Sequence, residues 1–364
     1  HSGKMLTVSK QPFSLVRQVL QAAPAALDAE QLAVVAYRGS PIVVQGGPGT
    51  GKSALMIERA LSYIGEGVDP NQILLLTFDR ERATELNDSI VAHLPKSING
   101  AIVKTIPAFA FGLLRAHAAQ NGKKPPTLLS GAEQDFYIRE LLGPSALSNL
   151  AGWPEELLAA VKTAAFAREM RDLIMRATER GINPDQLAQL SSSENFPLWL
   201  PASKFYLEYT HSRTIDEDYK LDPSELIINA INLISRDEQL HKELRDKYKV
   251  VLVDEYQESD PAQRALLALL TGSDLVIAYD ADSAVGRFRG ADPDGLKGEV
   301  DKYLAQGATQ ILLTNSYRSR PEIFEIARAV VSQFRAPSPT RQRTCTYLEK
   351  PALDNAFSAA RLRS

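Results

Sequence analysis

Gly46-Gly47-Pro48-Gly49-Thr50-Gly51-Lys52-Ser53 follows the spacing Gly-x-x-x-x-Gly-Lys-Ser, a glycine-rich loop closed by one cation and one hydroxyl. Such a loop turns the N–H groups of residues such as Gly46, Gly47, Gly49, Thr50 and Gly51 toward phosphate oxygens at a helix N-terminus. Lys52 is then suited to pair with the terminal phosphates, and the Ser53 hydroxyl to help hold a magnesium ion. The pattern carries weight only between a strand and a helix. Ile42-Val43-Val44 provides the apolar run before it, and Ile57, Leu61 and Ile64 provide helical apolar spacing after it. The chemistry expected is binding of a nucleoside triphosphate, ATP with Mg2+.

A second constellation closes the run Val250-Val251-Leu252-Val253 with Asp254-Glu255. Four apolar residues ending in two carboxylates describe a buried strand whose tip emerges at the ligand edge of a parallel sheet. Asp254 is a candidate to hold magnesium, directly or through water, and Glu255 to orient and polarise the attacking water. Taken alone, Asp-Glu at a strand end is an ordinary solvated turn; the phosphate loop upstream favours the catalytic reading. Gln31 lies in Leu27-Asp28-Ala29-Glu30-Gln31, which opens a helix before the loop strand. Its amide could both donate to and accept from an adenine edge, although a solvated helix position is an equal alternative. Two later segments carry arginine beside an aromatic ring: Arg287-Phe288-Arg289 and Tyr317-Arg318-Ser319. An arginine near the phosphates can neutralise charge developing on the transferred phosphoryl group. An aromatic–arginine cluster can instead stack a nucleic-acid base and hold its backbone.

Strands and helices must bring these residues together. Apolar runs at Ile73–Phe78, Ala101–Thr105, Asp274–Tyr279 and Thr309–Leu313 alternate with helical stretches, so the sequence predicts an α/β fold built on a parallel sheet. No comparable strand lies between Thr105 and Lys249, and the interval is helix-like, as in Ala132–Leu142 and Pro154–Arg180. It is expected to be a helical domain inserted into the core. The expected division is residues 5–119 and 220–330 for the nucleotide-binding core, 120–219 for the insertion, and 331–364 for a linker or incomplete second domain, with a breakpoint near Ala336-Pro337-Ser338-Pro339-Thr340.

The chain has 364 residues and a formal net charge of -3, so no overall basic field demands a nucleic-acid partner, though a local groove could bind one. A single cysteine, Cys345, excludes a disulfide framework and a cysteine-rich zinc site, and the five histidines lack ligand spacing. No apolar stretch is long enough to span a bilayer and no signal-like start is present, so no membrane partner and a cytoplasmic location are expected. His1-Ser2-Gly3-Lys4, preceding Met5, reads as an artificial tail.

In order and spacing, several of these stretches resemble superfamily 1A helicases of the UvrD/Rep type. They are Leu27–Gln31, Gly46–Ser53, Thr77-Phe78 with Glu85-Leu86, Asp254-Glu255-Tyr256-Gln257, Phe288-Arg289-Gly290-Ala291 and Tyr317-Arg318-Ser319. The resemblance implies a RecA-like P-loop NTPase domain carrying an inserted helical domain. It implies an ATPase that moves 3′ to 5′ on single-stranded DNA or a duplex–single-strand junction, with a place in DNA repair and recombination. By the same resemblance Gln31 reads adenine, Tyr317 stacks on it and Arg318 contacts the γ-phosphate. Gln257 sits between nucleotide and DNA, and Thr77, Phe78, Phe288 and Arg289 line the single-strand path.

Departures from the family pattern fall on the strand-holding side. Tyr279-Asp280-Ala281-Asp282-Ser283 replaces Gly-Asp-x-x-Gln, so a short Ser283 stands where a glutamine amide would meet the γ-phosphate. Gly286 replaces a tyrosine, Asp79-Arg80-Glu81 replaces Thr-Asn-Lys, Ile106-Pro107-Ala108 replaces Phe-His-Ser, and Ser316 replaces an asparagine. This pattern resembles the less conventional motor subunit of bacterial helicase–nucleases, the actinobacterial AdnA type, which works with a second motor subunit. The alternative it raises is an ATP-binding structural or regulatory subunit with little stepping of its own. With the later family motifs absent, the expectation is a fragment that binds ATP and turns it over slowly without unwinding DNA.

Overall fold

The computed structural model describes residues 27–39, 41–94, 100–215, 220–270, 274–318, 321–333 and 346–347. The expected breakpoint at 336–340, Cys345 and Ser319 lie outside them. The strands, in chain order, are β1 (Ile42–Gly46), β2 (Ile73–Thr77), β3 (Val103–Thr105), β4 (Thr127–Leu128), β5 (Lys220–Leu221), β6 (Val250–Val253), β7 (Asp274–Tyr279), β8 (Thr309–Leu313), β9 (Asn315–Ser316) and β10 (Thr346–Tyr347), the last pairing with β9. Six of them form one sheet in the order β3-β2-β6-β7-β1-β8, and every pairing in it is parallel. The fold is therefore α/β, with a central parallel sheet between helices, as in RecA-like P-loop NTPases.

Burial on both faces explains why β2, β6, β7 and the start of β1 read as apolar runs, whereas the edge strands β3 and β8 are only partly covered and carry Lys104 and Gln310. Alternate residues point to opposite sides. Val43, Leu74, Leu76, Val251, Val253 and Ile277 join one core with Ile106, Phe109, Ile227 and Leu266. Ile42, Val44, Leu75, Leu252, Val276 and Ala278 join the other with Leu55, Met56, Leu86 and Ile90.

Between β3 and β6 the chain builds a separate helical core around Ile138, Trp153, Met170, Ile174, Phe205 and Tyr209. Its two crossing points are tied together where β4 pairs with β5 in parallel, Thr127 beside Lys220 and Leu128 beside Leu221. Directly after β5, Asp222 caps the helix Pro223–Arg236 through the backbone N–H groups of Ser224 and Glu225. That helix puts Ile227, Ala230 and Ile234 into the sheet's core and also touches the insertion's helix Ala164–Glu179, so it packs between the two.

Candidate nucleotide site and strand cleft

In a parallel sheet the ligand edge is the one at the carboxyl ends of the strands. Here that edge carries the loop after β1, Thr77-Phe78 after β2, Asp254-Glu255 after β6, Asp280 after β7 and Thr314–Arg318 after β8. The loop after β1 turns into the helix Lys52–Gly65 through Gly51, whose φ of 84° is left-handed. A side chain there would also collide with the Gln31 amide, so glycine is required twice over. Thr50 Oγ1 donates to Gly47 O at 2.9 Å, and Lys52 Nζ donates to Gly46 O and Gly47 O at 2.8 and 3.0 Å.

Desolvation pushes the Lys52 ammonium below its ordinary range, opposed by the charges of Asp280 and Asp254 and reinforced by Arg318. Five groups thus meet here, the charges of Asp254, Glu255, Asp280 and Arg318 all acting on Lys52. Four of them were singled out from sequence. Asp280 was not given a role, because its signal is only an acid at a strand end, and its importance comes from the sheet order that sets β7 between β6 and β1. Burial pushes the Asp280 carboxyl up, against the pull of Lys52. Glu255 is also raised, by burial and then by the like charge of Asp254, with Arg82 opposing. Its backbone is left-handed at φ 58° and ψ 39°, uncommon for a residue with a side chain.

Asp254 is fully buried. One carboxylate oxygen accepts from Glu255 N at 3.1 Å and the other, Oδ2, has no hydrogen-bond partner. A buried, unmatched carboxylate oxygen beside the glycine-rich loop fits a magnesium ion, which Asp254 would hold together with the Ser53 hydroxyl expected from sequence. The chemistry such an ion would supply, held by these residues, is neutralisation of charge on the phosphates.

Asp28, at the start of the helix Ala29–Ala36, is a hydrogen-bonding hub beside the glycine-rich loop. Its Oδ1 accepts from Gln31 N at 2.8 Å, and its Oδ2 accepts from Asn315 Nδ2 at 3.1 Å and from the Tyr317 hydroxyl. Burial would raise this carboxyl, but the Tyr317, Gln31 and Asn315 hydrogen bonds outweigh it and hold it below its ordinary value. Burial, followed by the bond to Asp28, pushes the Tyr317 phenol up to about 12. Glu30 accepts from Thr314 N and Oγ1, both at 2.6 Å. Tyr317 N donates to Gly49 O at 2.9 Å and Ser316 Oγ to Pro48 O at 2.9 Å. A Cβ on Gly49, at φ 79°, would lie 2.7 Å from the Cβ of Arg318. These bonds join the glutamine helix, the phosphate loop and the arginine segment into one unit. The Gln31 amide is engaged at both ends within it: Oε1 accepts from Asp28 N at 3.0 Å and Nε2 donates to Thr50 O at 2.9 Å. Neither Asp28 nor Glu30 was assigned a role from sequence, although Asp28 three residues before Gln31 is a capping-box signature.

On the insertion side of the same edge lies a cleft of about 600 Å3, lined among others by Phe78, Glu255, Gln257, Ser283, Phe288 and Arg289. The Phe288 ring is 76% exposed, with the Arg289 guanidinium 5.1 Å from its centroid. Thr77 does not reach this surface: as the last residue of β2 it is completely buried, its hydroxyl without a hydrogen-bond partner. Gln257 spans the two sites, its Oε1 accepting from Asp280 N at 3.0 Å. Glu258 accepts from Val285 N at 2.8 Å and fills the space a side chain at Gly286 would need, which accounts for the missing tyrosine. Ser283 turns its hydroxyl back onto Asp280. The turn's last residue, Gly290 at φ 100°, sits under the Arg176 and Glu179 side chains of the insertion.

The sequence that builds this arrangement is similar to known proteins. The UvrD/REP helicase N-terminal domain matches residues 27–303. The ATP-dependent DNA helicase UvrD1 of Mycobacterium tuberculosis is 26% identical over 318 residues, 84% of this chain and 39% of that protein. UvrD1 of Mycobacterium leprae is 25% identical over 341 residues, covering 90% and 41% of the two chains, and UvrD2 of Mycobacterium tuberculosis is 26% identical over 320 residues, covering 85% and 43%. The chain thus spans about two fifths of the length of these curated relatives. With its phosphate loop, paired carboxylates and returning arginine gathered at one edge of a parallel sheet, the chain belongs to the UvrD/REP helicase family through that family's N-terminal domain.

Proposed function

We propose that this chain is the ATP-binding part of a DNA-dependent ATPase motor that moves 3′ to 5′ along single-stranded DNA in the course of DNA repair. The observation that carries the reading is the convergence on Lys52 of Asp254, Glu255, Asp280 and Arg318, with Phe288 and Arg289 exposed on a cleft at the same sheet edge. In the reaction a water attacks the γ-phosphorus, the bond to the β,γ-bridging oxygen breaks, and ADP leaves with that electron pair. Glu255, with its raised proton affinity, orients the water and takes its proton. Lys52 and Arg318 neutralise charge on the departing and transferred groups. Gln31 and Tyr317 face the base, the glutamine by exchanging its present bonds to Asp28 and Thr50. Gln257 relays the state of the nucleotide, since the amide it holds belongs to Asp280, where the chain departs toward Phe288. Phe288 and Arg289, with Phe78 beside them, supply a base-stacking face and a cation for the strand.

A second reading is favoured by Ser283 and Gly286: an ATP-binding subunit of a helicase–nuclease complex, of the actinobacterial AdnA type, whose partner does most of the stepping. ATP turnover by the chain with any copurifying partner, with and without single-stranded DNA and with Lys52→Ala as control, separates the two. Strong stimulation by DNA that is lost in Lys52→Ala supports the motor. Tight ATP binding with turnover indifferent to DNA refutes it and leaves the nucleotide-controlled subunit.

A further inference from the structure

The helix Pro223–Arg236 begins at the strand cleft, which Pro223 and Ser224 line, and its far end lies about 20 Å away at a rise of ~1.5 Å per residue. A second groove of about 600 Å3 opens there, and its polar lining is of another kind: His117, Lys123, Lys124, Asn229, Asn232 and Arg236. Asp237 is its one carboxylate, and that side chain accepts from Leu240 N at 2.9 Å as a helix cap. The strand cleft, in contrast, carries Asp79, Glu179, Glu255, Glu258 and Asp260 against Arg176 and Arg289. A chain whose net charge is -3 therefore concentrates cations at this distal groove.

Basic residues in the last turn of a helix complement its dipole, and that accounts for His117 at the end of Ile106–Gln120 and for Arg236. It does not account for Lys123 and Lys124, which lie beyond the helix end at Asn121 in the segment leading to β4. Among the described residues neither Lys123 nor Arg236 has an ion-pair partner. The groove thus offers cations from three segments with the Asn232 amide beside them, while Asn229 Nδ2 donates to Glu225 O at 2.8 Å; clustered cations of this kind match the oxygens of successive phosphodiesters.

We infer that the groove between the ends of helices Ile106–Gln120 and Pro223–Arg236 is a second nucleic-acid contact, gripping a phosphodiester backbone outside the strand cleft through Lys123, Lys124 and Arg236. The inference rests on the DNA-motor reading above. It gives the motor a hold that does not depend on the aromatic turn and is independent of base sequence.

The test is fluorescence anisotropy of the full 364-residue chain with a duplex bearing a 3′ single-stranded tail, titrated from about 50 to 200 mM salt. Lys123→Glu/Arg236→Glu is compared with wild type, with the charge-preserving Lys123→Arg/Arg236→Lys, and with Phe288→Ala. Removing two phosphate contacts should flatten the slope of log K against log salt by nearly 2 and weaken binding by about tenfold. The charge-preserving variant should bind as wild type does. Coincident isotherms and slopes for wild type and the Glu variant overturn the inference, as does equal loss in the charge-preserving variant. Loss of a copurifying acidic protein with DNA isotherms unchanged would make this a protein-docking groove and also overturn it. If Phe288→Ala weakens binding while the Glu variant does not, the groove alone fails; if wild type binds no DNA, the motor reading fails with it.

Discussion

Replacing Asp28 with alanine tests whether the nucleotide site is one unit. The change removes a helix cap, at ~1 kcal/mol. It also strands the Tyr317 hydroxyl and the Asn315 amide, each of which loses a charged acceptor, at ~1.5–3 kcal/mol for such a bond. The three losses share one carboxylate and do not add, and Asp28 is partly open to solvent, so the expected destabilisation is about 2–4 kcal/mol. Urea unfolding at pH 7 measures it. Asp28→Asn, which keeps an oxygen for the Gln31 N–H but loses the charge, should cost about half as much. A double-mutant cycle with Tyr317→Phe should return a coupling above ~0.5 kcal/mol. The pH dependence has a fixed sign. The folded-state carboxyl titrates below its ordinary value, so its contribution is complete above that value and is lost as pH falls through the folded one. The gap between wild type and Asp28→Ala should therefore close in acid, below about pH 4. A loss under ~1 kcal/mol at pH 7, or no coupling to Tyr317, would refute the claim that Asp28 ties the glutamine helix to the arginine segment.

Two further perturbations act on the backbone and on the insertion contact. Gly49→Ala meets a left-handed φ, at ~1–2 kcal/mol, and a Cβ contact with Arg318, at ~1–3 kcal/mol, so urea unfolding should show a loss of about 2–5 kcal/mol and titration a weaker ATP affinity. A loss under ~1 kcal/mol would mean that Arg318 stands off the loop. Burial, then the like charge of Asp260, pushes the Glu179 carboxyl up to about 8 despite Arg176. The folded chain keeps that proton where the unfolded chain has released it, so stability should fall as pH rises from about 4.5 to 8, by on the order of a few kcal/mol. Glu179→Gln should flatten that decline, and parallel stability–pH curves for the two proteins would show that Glu179 does not carry it.

Local pattern made much of this protein legible before its fold was known. Apolar runs bounded by polar turns marked β1, β2, β6 and β7, because a strand covered on both faces has no polar alternation to blur it; β8, an edge strand only partly covered, showed through Ile311-Leu312-Leu313. The phosphate loop was readable because its glycines answer to backbone conformation, a local property that Gly49 and Gly51 display in their positive φ. Asp254-Glu255 stood out only in company: a carboxylate pair at a strand end is by itself an ordinary turn, and it was the phosphate loop upstream that gave it a candidate role.

Tertiary structure decided what local pattern does not encode. The order β3-β2-β6-β7-β1-β8 places strands distant in the chain side by side, and that alone brings Asp280 against Lys52. Asp28 and Tyr317 are separated by 289 positions, so their bond has no local trace. Thr77 shows the same limit from the other side: the family resemblance implied that it lines the DNA path, whereas the packing over β2 encloses it. The substitution at Gly286 shows as a missing aromatic in the sequence, and its cause, the Glu258 side chain filling that space, exists only once the two loops are folded together. Sequence specifies which groups can do chemistry, because reactivity belongs to residue type and short-range backbone geometry; which of them meet is settled by long-range packing, where contact partners are chosen by the whole fold.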